Sequence, residues 1–266
     1  MPPVPLQNDH RAAAEAVAGA PPAPLPIDWA PGPWPQRLDF EAFSKTFDLG
    51  SDRLYGWLYR VYRADFAVQN ERIAVKRLRS ILEATFLLAN EKGFQAMTLR
   101  DLSSKTGLSM GGLYAYISSK EDLVRLIQTF LYEVGGQVMT RMMQEIEGPE
   151  RRLEALLRGH LYWSERMPSW FYFGFMETKA LPAAQRKQAV AAEASNEARI
   201  ADTIRSGVQA RAFACQDPDL AASFAKALLQ DWYLKRNKFR KRGISVDHYA
   251  DTLVGLMQGH LARAAQ

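Results

Sequence analysis

The sequence predicts an all-α protein, and three observations support this fold class. Apolar residues recur at spacings of three and four along most of the chain after residue 70, which is the period of an amphipathic helix. No segment shows the alternation between hairpin turns that indicates β-strands. Ten of the 14 prolines lie within residues 2–35, and the other four stand where a helix could begin: Pro149, Pro168, Pro182 and Pro218.

Composition and charge exclude several classes of protein. The 266 residues include 34 basic side chains, 29 acidic side chains and one cysteine, Cys215, which excludes a disulfide-stapled scaffold and fits a reducing cytoplasm. No apolar run approaches the roughly 18 residues of a membrane span, and the start of the chain lacks a signal-peptide pattern. We therefore expect a soluble cytoplasmic protein with no membrane partner. Its net charge of +5 permits an acidic partner such as nucleic acid without requiring one.

The chain before residue 71 has a different character. Residues 1–36 are rich in proline and alanine, which predicts a disordered or polyproline-like arm. Residues 37–70 form an extension in which apolar spacing predicts an amphipathic helix through Leu54, Trp57, Leu58, Val61, Ala64 and Val68. This apolar stripe must be buried. It is either a packing appendage on the body or on a partner subunit, or a dedicated protein-binding or ligand-binding element.

Residues 71–125 open with a long helix followed by a short capped helix. The apolar spacing from Leu78 predicts a helix that ends at Gly93, because glycine favours the position after a helix C-terminus. Thr98 and Asp101 have the spacing of a capping box, in which each side chain bonds the backbone amide of the other. A short helix is therefore predicted to begin at Thr98.

A second short helix follows a glycine-containing turn. The first must end near Gly107, and Ser109 is a candidate cap for a helix that continues to Tyr116. A further capping sequence at residues 118–121 opens a long helix. Two short helices joined by such a turn, with one helix before and one behind, are typical of a helix-turn-helix. In that motif the second short helix enters the major groove of DNA by its N-terminal residues.

The candidate DNA-binding residues lie on or beside this second helix, except for Thr98 at the start of the first: Thr98, Ser109, Met110, Gly111, Gly112, Tyr114, Tyr116 and Lys120. The two glycines let the backbone approach a base or a phosphate closely. The tyrosine hydroxyls and the lysine cation suit phosphates, whereas contacts from Ser109, Met110 or Gly111 to base edges would specify sequence. Two structural roles remain open, a half-buried scaffold position for Tyr114 and a solvated first-turn position for Lys120.

In this order the residues resemble the TetR family of one-component transcriptional regulators. The shared residues are Ile81, Leu82, Ala84, Phe86, Gly93, Phe94, Met97, Thr98, Thr106-Gly107-Leu108-Ser109, Gly112-Leu113-Tyr114 and Ser119-Lys120-Glu121-Asp122-Leu123. The resemblance implies a TetR-like fold, with a three-helix DNA-binding domain and then a helical ligand-binding and dimerisation domain. It also implies that Thr98 and Lys120 hold phosphates. The chain departs from the family pattern at Leu102-Ser103, at Ile117 and in its long lead-in.

Residues 126–266 are expected to be the ligand-binding and dimerisation domain. Gly135-Gly136 falls within the long helix, either at a kink or at a close helix crossing. Further helices are predicted near 150–166, 168–180, 182–212, 218–241 and 246–264. The resemblance places the homodimer interface on the last two, which carry apolar stripes: Leu220, Phe224 and Leu228, then Tyr249, Leu253, Leu256 and Met257.

Aromatic residues concentrate in the middle of this region and suit the wall of an apolar pocket. The ligand-pocket candidates are Trp163, Trp170, Phe171, Phe175, Met176, Trp232 and Tyr233. Aromatic residues at helical spacing are more often ordinary core, so that interpretation stays open for each. A basic run from Lys235 to Arg242 either meets the negative end of a helix dipole or anchors an acidic ligand.

The sequence shows no catalytic pattern. Its four histidines lack metal-ligand spacing, and neither a nucleophile elbow nor a phosphate-binding glycine loop is present. We expect no enzyme, no cofactor and no metal. The predicted function is that of a ligand-responsive repressor, a homodimer that binds a pseudo-palindromic double-stranded operator and a small apolar or amphipathic effector. The alternative is a helical interaction protein that uses the helix-turn-helix as scaffold and is controlled by a protein partner.

Overall fold

The computed structural model describes residues 26–29, 31–50, 52–180 and 183–262. Every regular element in these ranges is an α-helix or a short 3-10 turn, which confirms the predicted all-α class. The α-helices are α1 Phe40–Thr46, α2 Asp52–Val61, α3 Glu71–Lys92, α4 Leu99–Thr106, α5 Met110–Tyr114, α6 Lys120–Met143, α7 Pro149–Arg166, α8 Pro168–Glu177, α9 Ala183–Gln209, α10 Pro218–Leu234, α11 Arg236–Lys241 and α12 Val246–Leu261. None of these helices combines the length and the apolar character that crossing a membrane requires.

Helix α3 and the short helices α4 and α5 form a unit that we call the three-helix unit. Helix α3 begins where Asn70 accepts a hydrogen bond from the Ile73 amide, and it ends at Gly93, whose φ of 81° is a conformation that side chains disfavour. Leu102 of α4 and Leu113 of α5 are fully buried, and they anchor the short helices in the core. Helices α6 to α12 form the C-terminal body.

Helices α6 and α7 cross closely at two glycines. Helix α6 runs unbroken through Gly135 and Gly136, so the sequence does not mark a kink, and the crossing explains Gly135. A Cβ atom on Gly135 would lie 2.1 Å from a ring carbon of Trp163, and one on Gly159 of α7 would lie 2.2 Å from the sulfur of Met142. Each glycine therefore makes room for a large side chain of the other helix.

Helix boundaries in the body follow local caps, with one difference from prediction. Proline occupies the first turn of α7, α8 and α10, where it loses no helical hydrogen bond. The helix predicted for 218–241 is two helices, because Lys235 leaves helical geometry with φ −120° and ψ 26°. Its amide still donates to the Asp231 carbonyl, which closes α10 before α11 begins.

An aromatic contact joins the three-helix unit to the C-terminal body. Trp170 of α8 lies with its ring centroid 5.0 Å from that of Phe86 on α3 and 4.2 Å from that of Phe130 on α6. From helix α2, Trp57 packs on Phe130 and Tyr55 packs on Trp170, at 6.2 and 6.3 Å between centroids. We call these five side chains the aromatic junction.

Of the predicted arm over residues 1–36, the structure describes 26–29 and 31–36, which make tertiary contacts; residues 1–25 and 30 lie outside the described ranges. Trp34 is fully buried, and its indole N–H donates to the Met142 carbonyl at 3.1 Å. Its ring packs on Phe43, Phe47 and Tyr162. The described part of this proline-rich stretch therefore has no regular secondary structure, and tertiary contacts hold it in place.

Helix α1 was not predicted from the sequence, because seven residues are too few to show a helical period. Asp39 caps it by accepting the Ala42 amide at 2.8 Å. At the same end, the Phe40 amide donates to a carboxylate oxygen of Asp247 in α12 at 3.0 Å. The segment thus ties the start of the chain to its last helix.

Helix α2 carries the predicted apolar stripe but is shorter than predicted. Leu54, Trp57 and Leu58 are buried against the protein itself, which is the arrangement of a packing appendage. The helix ends at Val61, and Ala64 is exposed in a short 3-10 turn that follows. Residues 26–29, 31–50 and 52–70 together form what we call the N-terminal segment.

Replacing Trp34 with alanine is expected to destabilise the protein by about 3–5 kcal/mol, because it removes a fully buried indole and opens a cavity. The measurement is chemical denaturation followed by circular dichroism. Trp29→Ala is the matched control, since Trp29 is half-buried and packs on Phe47 alone among the aromatic residues described, and its loss is expected to be smaller. An unchanged unfolding midpoint for Trp34→Ala would contradict the packing of the segment.

Candidate nucleic-acid interface and ligand core

The capping box predicted at the start of α4 is confirmed. The Asp101 amide donates to the Thr98 hydroxyl at 3.1 Å, and the Thr98 amide donates to the Asp101 carboxylate at 2.8 Å. The same carboxylate lies 2.6 Å from the Lys92 ammonium group. Hydrogen bonds from Lys92 and Thr98 lower the pKa of Asp101 to about 2, so the cap stays ionised. Thr98 is exposed, and its hydroxyl is held in place by this network.

The turn between α4 and α5 is built by local contacts. Gly107 adopts the left-handed conformation, with φ 69° and ψ 13°. The Ser103 hydroxyl donates to the Leu108 carbonyl at 2.5 Å, and Ser109 caps α5 by accepting the Gly112 amide at 3.1 Å. These contacts fix the angle at which α5 leaves the turn, so the helix-turn-helix geometry is set by nearby residues.

The N-terminal face of α5 is open. Ser109 and Gly111 are exposed, Met110 and Gly112 are half-buried, and Tyr114 is 52% exposed. A Cβ atom on Gly111 would meet nothing within 4 Å, so packing inside the protein does not require glycine there. An external surface that approaches the backbone gives a physical reason for it. The structure therefore brings five of the predicted residues together on one accessible helix.

Tyr116 does not belong to this surface, which corrects the sequence prediction. Helix α5 ends at Tyr114, two residues earlier than predicted, and the chain then turns so that the Tyr116 ring points inward. That ring is only 6% exposed and lies 6.0 Å from the ring of Phe66, between centroids. It forms part of the contact with the N-terminal segment.

Lys120 is also placed differently from the prediction. Its ammonium group donates to three backbone carbonyls, those of Phe94, Gln95 and Met97, at 2.8, 2.9 and 3.0 Å. It also lies 4.9 Å from the centre of the Phe94 ring. The cation thus closes the loop between α3 and α4. Because its ammonium group already donates to three backbone carbonyls, the structure gives no support to the predicted phosphate contact.

Arg100 is a candidate that the sequence analysis missed. It stands in the first turn of α4, two residues after Thr98, and is exposed. Within the described part of the chain it forms no hydrogen bond or ion pair. Arg79 illustrates the contrast, since it pairs with Asp52 and Glu83. Charge alone could not separate these arginines in the sequence, because one partner of Arg79, Asp52, comes from another helix.

Two of the predicted pocket residues are structural. Trp170 lies in the aromatic junction. Trp232 is 3% exposed, packs on Phe239 and Tyr249, and donates its indole N–H to Glu165 at 3.2 Å. Both side chains are buried and packed against neighbouring rings, so they do not line an accessible pocket.

The other aromatic candidates form a connected path from the surface inward. The last candidate, Met176, is 39% exposed. Phe175 is 44% exposed and lies 6.3 Å from the buried Tyr233. Phe171 lies 5.3 Å from Tyr233 and 4.7 Å from Trp163, all measured between ring centroids. Trp163 is 4% exposed, and its indole N–H has no acceptor within the described ranges.

Two polar residues that the sequence analysis did not select lie at the inner end of this path. His160, one turn before Trp163, is 5% exposed, and its Nε2 atom lacks a partner among the residues described. Lys226 of α10 is 3% exposed and lies 3.2 Å from a carboxylate oxygen of Glu193. Burial, with a smaller contribution from the Lys226 charge, holds the pKa of His160 well below its usual range. The imidazole is therefore neutral.

His160 also lines a small cavity that is partly open to the surface. Its volume is about 10 Å³, room for roughly one water molecule, and the wall is formed by Met139, Leu156, His160, Asn196, Arg199 and Ile200. Helices α6, α7 and α9 supply these residues. We call His160, Trp163, Lys226 and the cavity beside them the ligand core. No group of three or more metal-binding side chains occurs in the described ranges.

Helices α10 and α12 expose a set of large apolar side chains. The fractions exposed are 49% for Leu220, 57% for Phe224, 37% for Leu228 and 59% for Leu256. Leu253 and Met257, also predicted for an interface, are instead buried within the chain. The exposed set leaves an apolar face on one side of the C-terminal body.

Comparison with known proteins gives the same assignment for both parts of the chain. Residues 81–127 match the family model described as bacterial regulatory proteins, tetR family. Residues 147–257 match the model of the tetracyclin repressor-like C-terminal domain. The two matches together cover more than half of the sequence, and both begin after the N-terminal segment.

One curated relative and two solved structures illustrate the similarity. An uncharacterized HTH-type transcriptional regulator of Bacillus subtilis, YfiR, is 42% identical over 59 residues, which are 22% of this chain and only 29% of that relative. A tetR-family regulatory protein from Rhodococcus RHA1 has a TM-score of 0.64 at 19% identity, over 71% of this chain and 99% of that one. AibR, solved with isovaleryl coenzyme A and operator DNA, has a TM-score of 0.60 at 22% identity, over 68% of this chain and 97% of its own.

At these identities the solved structures show a shared fold, and the family models carry the assignment. The matched regions are the helix-turn-helix with its open α5 and the C-terminal body with its ligand core. The chain therefore belongs to the tetR family of bacterial regulatory proteins, a family of DNA-binding transcriptional regulators and not of enzymes.

Proposed function

We propose that the protein is a ligand-responsive repressor that binds a pseudo-palindromic operator as a homodimer. The observation that carries the proposal is the open N-terminal face of α5, held at a fixed angle by the capped turn before it. In a helix-turn-helix this end of the second helix enters the major groove. Ser109, Met110 and Gly111 are the residues proposed to contact base edges, and Tyr114 is proposed to contact phosphate.

Neighbouring groups extend this surface. Thr98 and Arg100 stand at the start of α4, whose exposed first turn offers backbone amides and a cation to phosphate or base. Gly112 is proposed to allow close backbone approach beside Gly111. Lys120 and Tyr116 are left out of the proposed interface, since the protein's own contacts occupy them.

The apolar face of α10 and α12 supports a dimer. Large apolar side chains grouped on one face are typical of surfaces that bind another protein. A two-fold axis through this face would bring α10 and α12 of two subunits into a helical bundle. The dimer would then present two copies of α5, and these fit successive major grooves when they are about 34–36 Å apart.

Helix α6 connects the two sites of the proposed switch. Its 24 residues, Lys120–Met143, span about 36 Å; Lys120 lies beside the three-helix unit, and Met139, near the other end, lines the cavity. A small effector that enters the ligand core must move the wall of that cavity, because the space is too small to hold it. If the effector binds better when α6 is displaced, it shifts the population away from the DNA-binding state. AibR, solved with isovaleryl coenzyme A and operator DNA, is a protein of the same fold that binds both a small molecule and an operator.

Binding of the protein to the promoter upstream of its own gene, compared with random DNA at several salt concentrations, tests the proposal. A repressor is expected to prefer the promoter and to protect two half-sites about one helical turn apart. Equal binding to both DNAs would favour the alternative, a helical interaction protein that retains the helix-turn-helix as scaffold.

Tyr114→Ala is expected to weaken binding to that promoter by about tenfold or more, because a dimer loses the contact twice. Fluorescence anisotropy with a labelled promoter fragment measures the effect. Tyr132→Ala is the matched control, since Tyr132 is 59% exposed but lies on α6, away from α5. If both variants bind as tightly as the unaltered protein, α5 is not the recognition helix.

Phe224→Glu is expected to convert the proposed dimer to a monomer, raising the dimer dissociation constant at least tenfold, or about 1.4 kcal/mol. A charge placed on the apolar face would be buried against its own symmetry copy. Analytical ultracentrifugation measures the dissociation constant. Val190→Glu, at another exposed apolar position on α9, is the control and should leave the assembly unchanged. A Phe224→Glu variant that dimerises normally would place the interface elsewhere.

A further inference from the structure

We propose that the ligand core binds a small carboxylic acid with an apolar or aromatic body, and that Lys226, His160 and Trp163 recognise its carboxylate. This inference rests on the proposed function, because it names the chemical class of the effector. Three features carry it: the exchangeable partner of a buried cation, a surplus of buried hydrogen-bond donors, and an aromatic path that leads to them.

The Lys226 ammonium group is buried beside a partner that can leave. A cation this deep in a protein needs a counter-charge, since desolvation is costly. Glu193 supplies the counter-charge at 3.2 Å, yet its own side chain is 45% exposed. Glu193 also accepts a hydrogen bond from the Gln230 amide at 2.6 Å. If a ligand carboxylate replaces Glu193, Lys226 keeps a counter-charge and Glu193 remains solvated with its second partner.

The polar groups around Lys226 offer donors. An ammonium group and an indole N–H can only donate, and a neutral imidazole donates from one nitrogen. Trp163 Nε1 and His160 Nε2 are buried without partners within the described ranges. Arg199 and Asn196, on the cavity wall next to His160, add a further cation and an amide. An acceptor-rich anion would satisfy these groups, whereas a cationic ligand would be repelled by Lys226 and Arg199.

The rings that lead inward match an apolar ligand body. Phe175 at the surface, Tyr233 and Phe171 next to it, and Trp163 at the inner end form a continuous series of contacts. Phe171 also packs edge-on against His160, at 5.7 Å between centroids. A hydrocarbon chain or an aromatic ring can replace these contacts as it enters, so that its carboxylate reaches Lys226.

Pairs of acids and their primary amides test this proposal, because the two have the same shape and differ in charge. The probes are phenylacetate, 4-phenylbutyrate and octanoate, each against phenylacetamide, 4-phenylbutyramide or octanamide. Thermal unfolding of the full-length protein is followed with each compound, and calorimetry gives the affinity of every compound that shifts the midpoint. At least one acid is expected to raise the midpoint while its amide does not. Equal shifts from acid and amide, or no shift from any acid, would overturn the proposal.

Lys226→Met provides the decisive variant, since methionine keeps an unbranched stem and removes the charge. The affinity for the acid is expected to fall about tenfold or more, as for the loss of a charge-assisted hydrogen bond. Lys241→Met makes the same change at an exposed position of α11 and should leave the affinity unchanged. Unchanged affinity in Lys226→Met would also overturn the proposal.

Trp163→Phe keeps the proposal testable if Lys226→Met does not fold. It retains a ring and removes the indole N–H, so the acid should bind more weakly while its amide stays without effect. Promoter binding without any ligand is measured in parallel. A protein that binds its promoter but no acid contradicts the effector class alone, whereas a protein that binds acids but shows no promoter preference contradicts the proposed regulator.

Discussion

The packing of Trp170 between Phe86 and Phe130 determines where the DNA-binding helices stand relative to the C-terminal body. Each of these rings comes from a different helix, α8, α3 or α6, so the contact fixes three elements at once. Aromatic pairs at these centroid distances add directional preference to the burial of apolar area. Tyr55 and Trp57 complete the aromatic junction from helix α2, which lies before the residues matched by the family models.

The N-terminal segment contacts both ends of this connection. At one end, the Trp34 indole donates to Met142 near the end of α6, and the Phe40 amide donates to Asp247 of α12. At the other end, the Ala67 amide donates to the Ala115 carbonyl immediately after α5, at 3.0 Å. Between them, Arg60 pairs with Glu71 at the start of α3. The segment therefore packs against the C-terminal body, the start of α3 and the chain immediately after α5.

Local signals in the sequence were sufficient for the helix-turn-helix. The structure contains the capping box at Thr98, the left-handed turn at Gly107 and the cap at Ser109. Each of these three features depends only on residues within five positions of its own. The positions of Tyr116 and Lys120 depend on distant partners: Phe66 lies 50 residues before Tyr116, and the carbonyls bound by Lys120 lie 23 to 26 residues away. Such contacts leave no periodic trace in a single sequence.

The residues of the ligand core were also difficult to predict from the sequence, because their contacts come from distant parts of the chain. Trp170 and Trp232 are residues of the type that lines apolar pockets, but helical spacing in a sequence cannot distinguish a pocket wall from ordinary core. The burial of Lys226 could have been predicted from the sequence, since this residue falls on the apolar stripe of α10 between Ala222 and Leu229, both fully buried. A charged residue on a buried stripe needs a partner, and that need points to a polar site.

Linkage between the two sites tests the account most directly. The affinity of the protein for its promoter is measured with and without a saturating concentration of the acid that stabilises it most, and the affinity for that acid is measured with and without promoter DNA. The account predicts that each ligand weakens the other by the same factor, about 5-fold to 150-fold. An acid that binds the ligand core and leaves promoter affinity unchanged would contradict it.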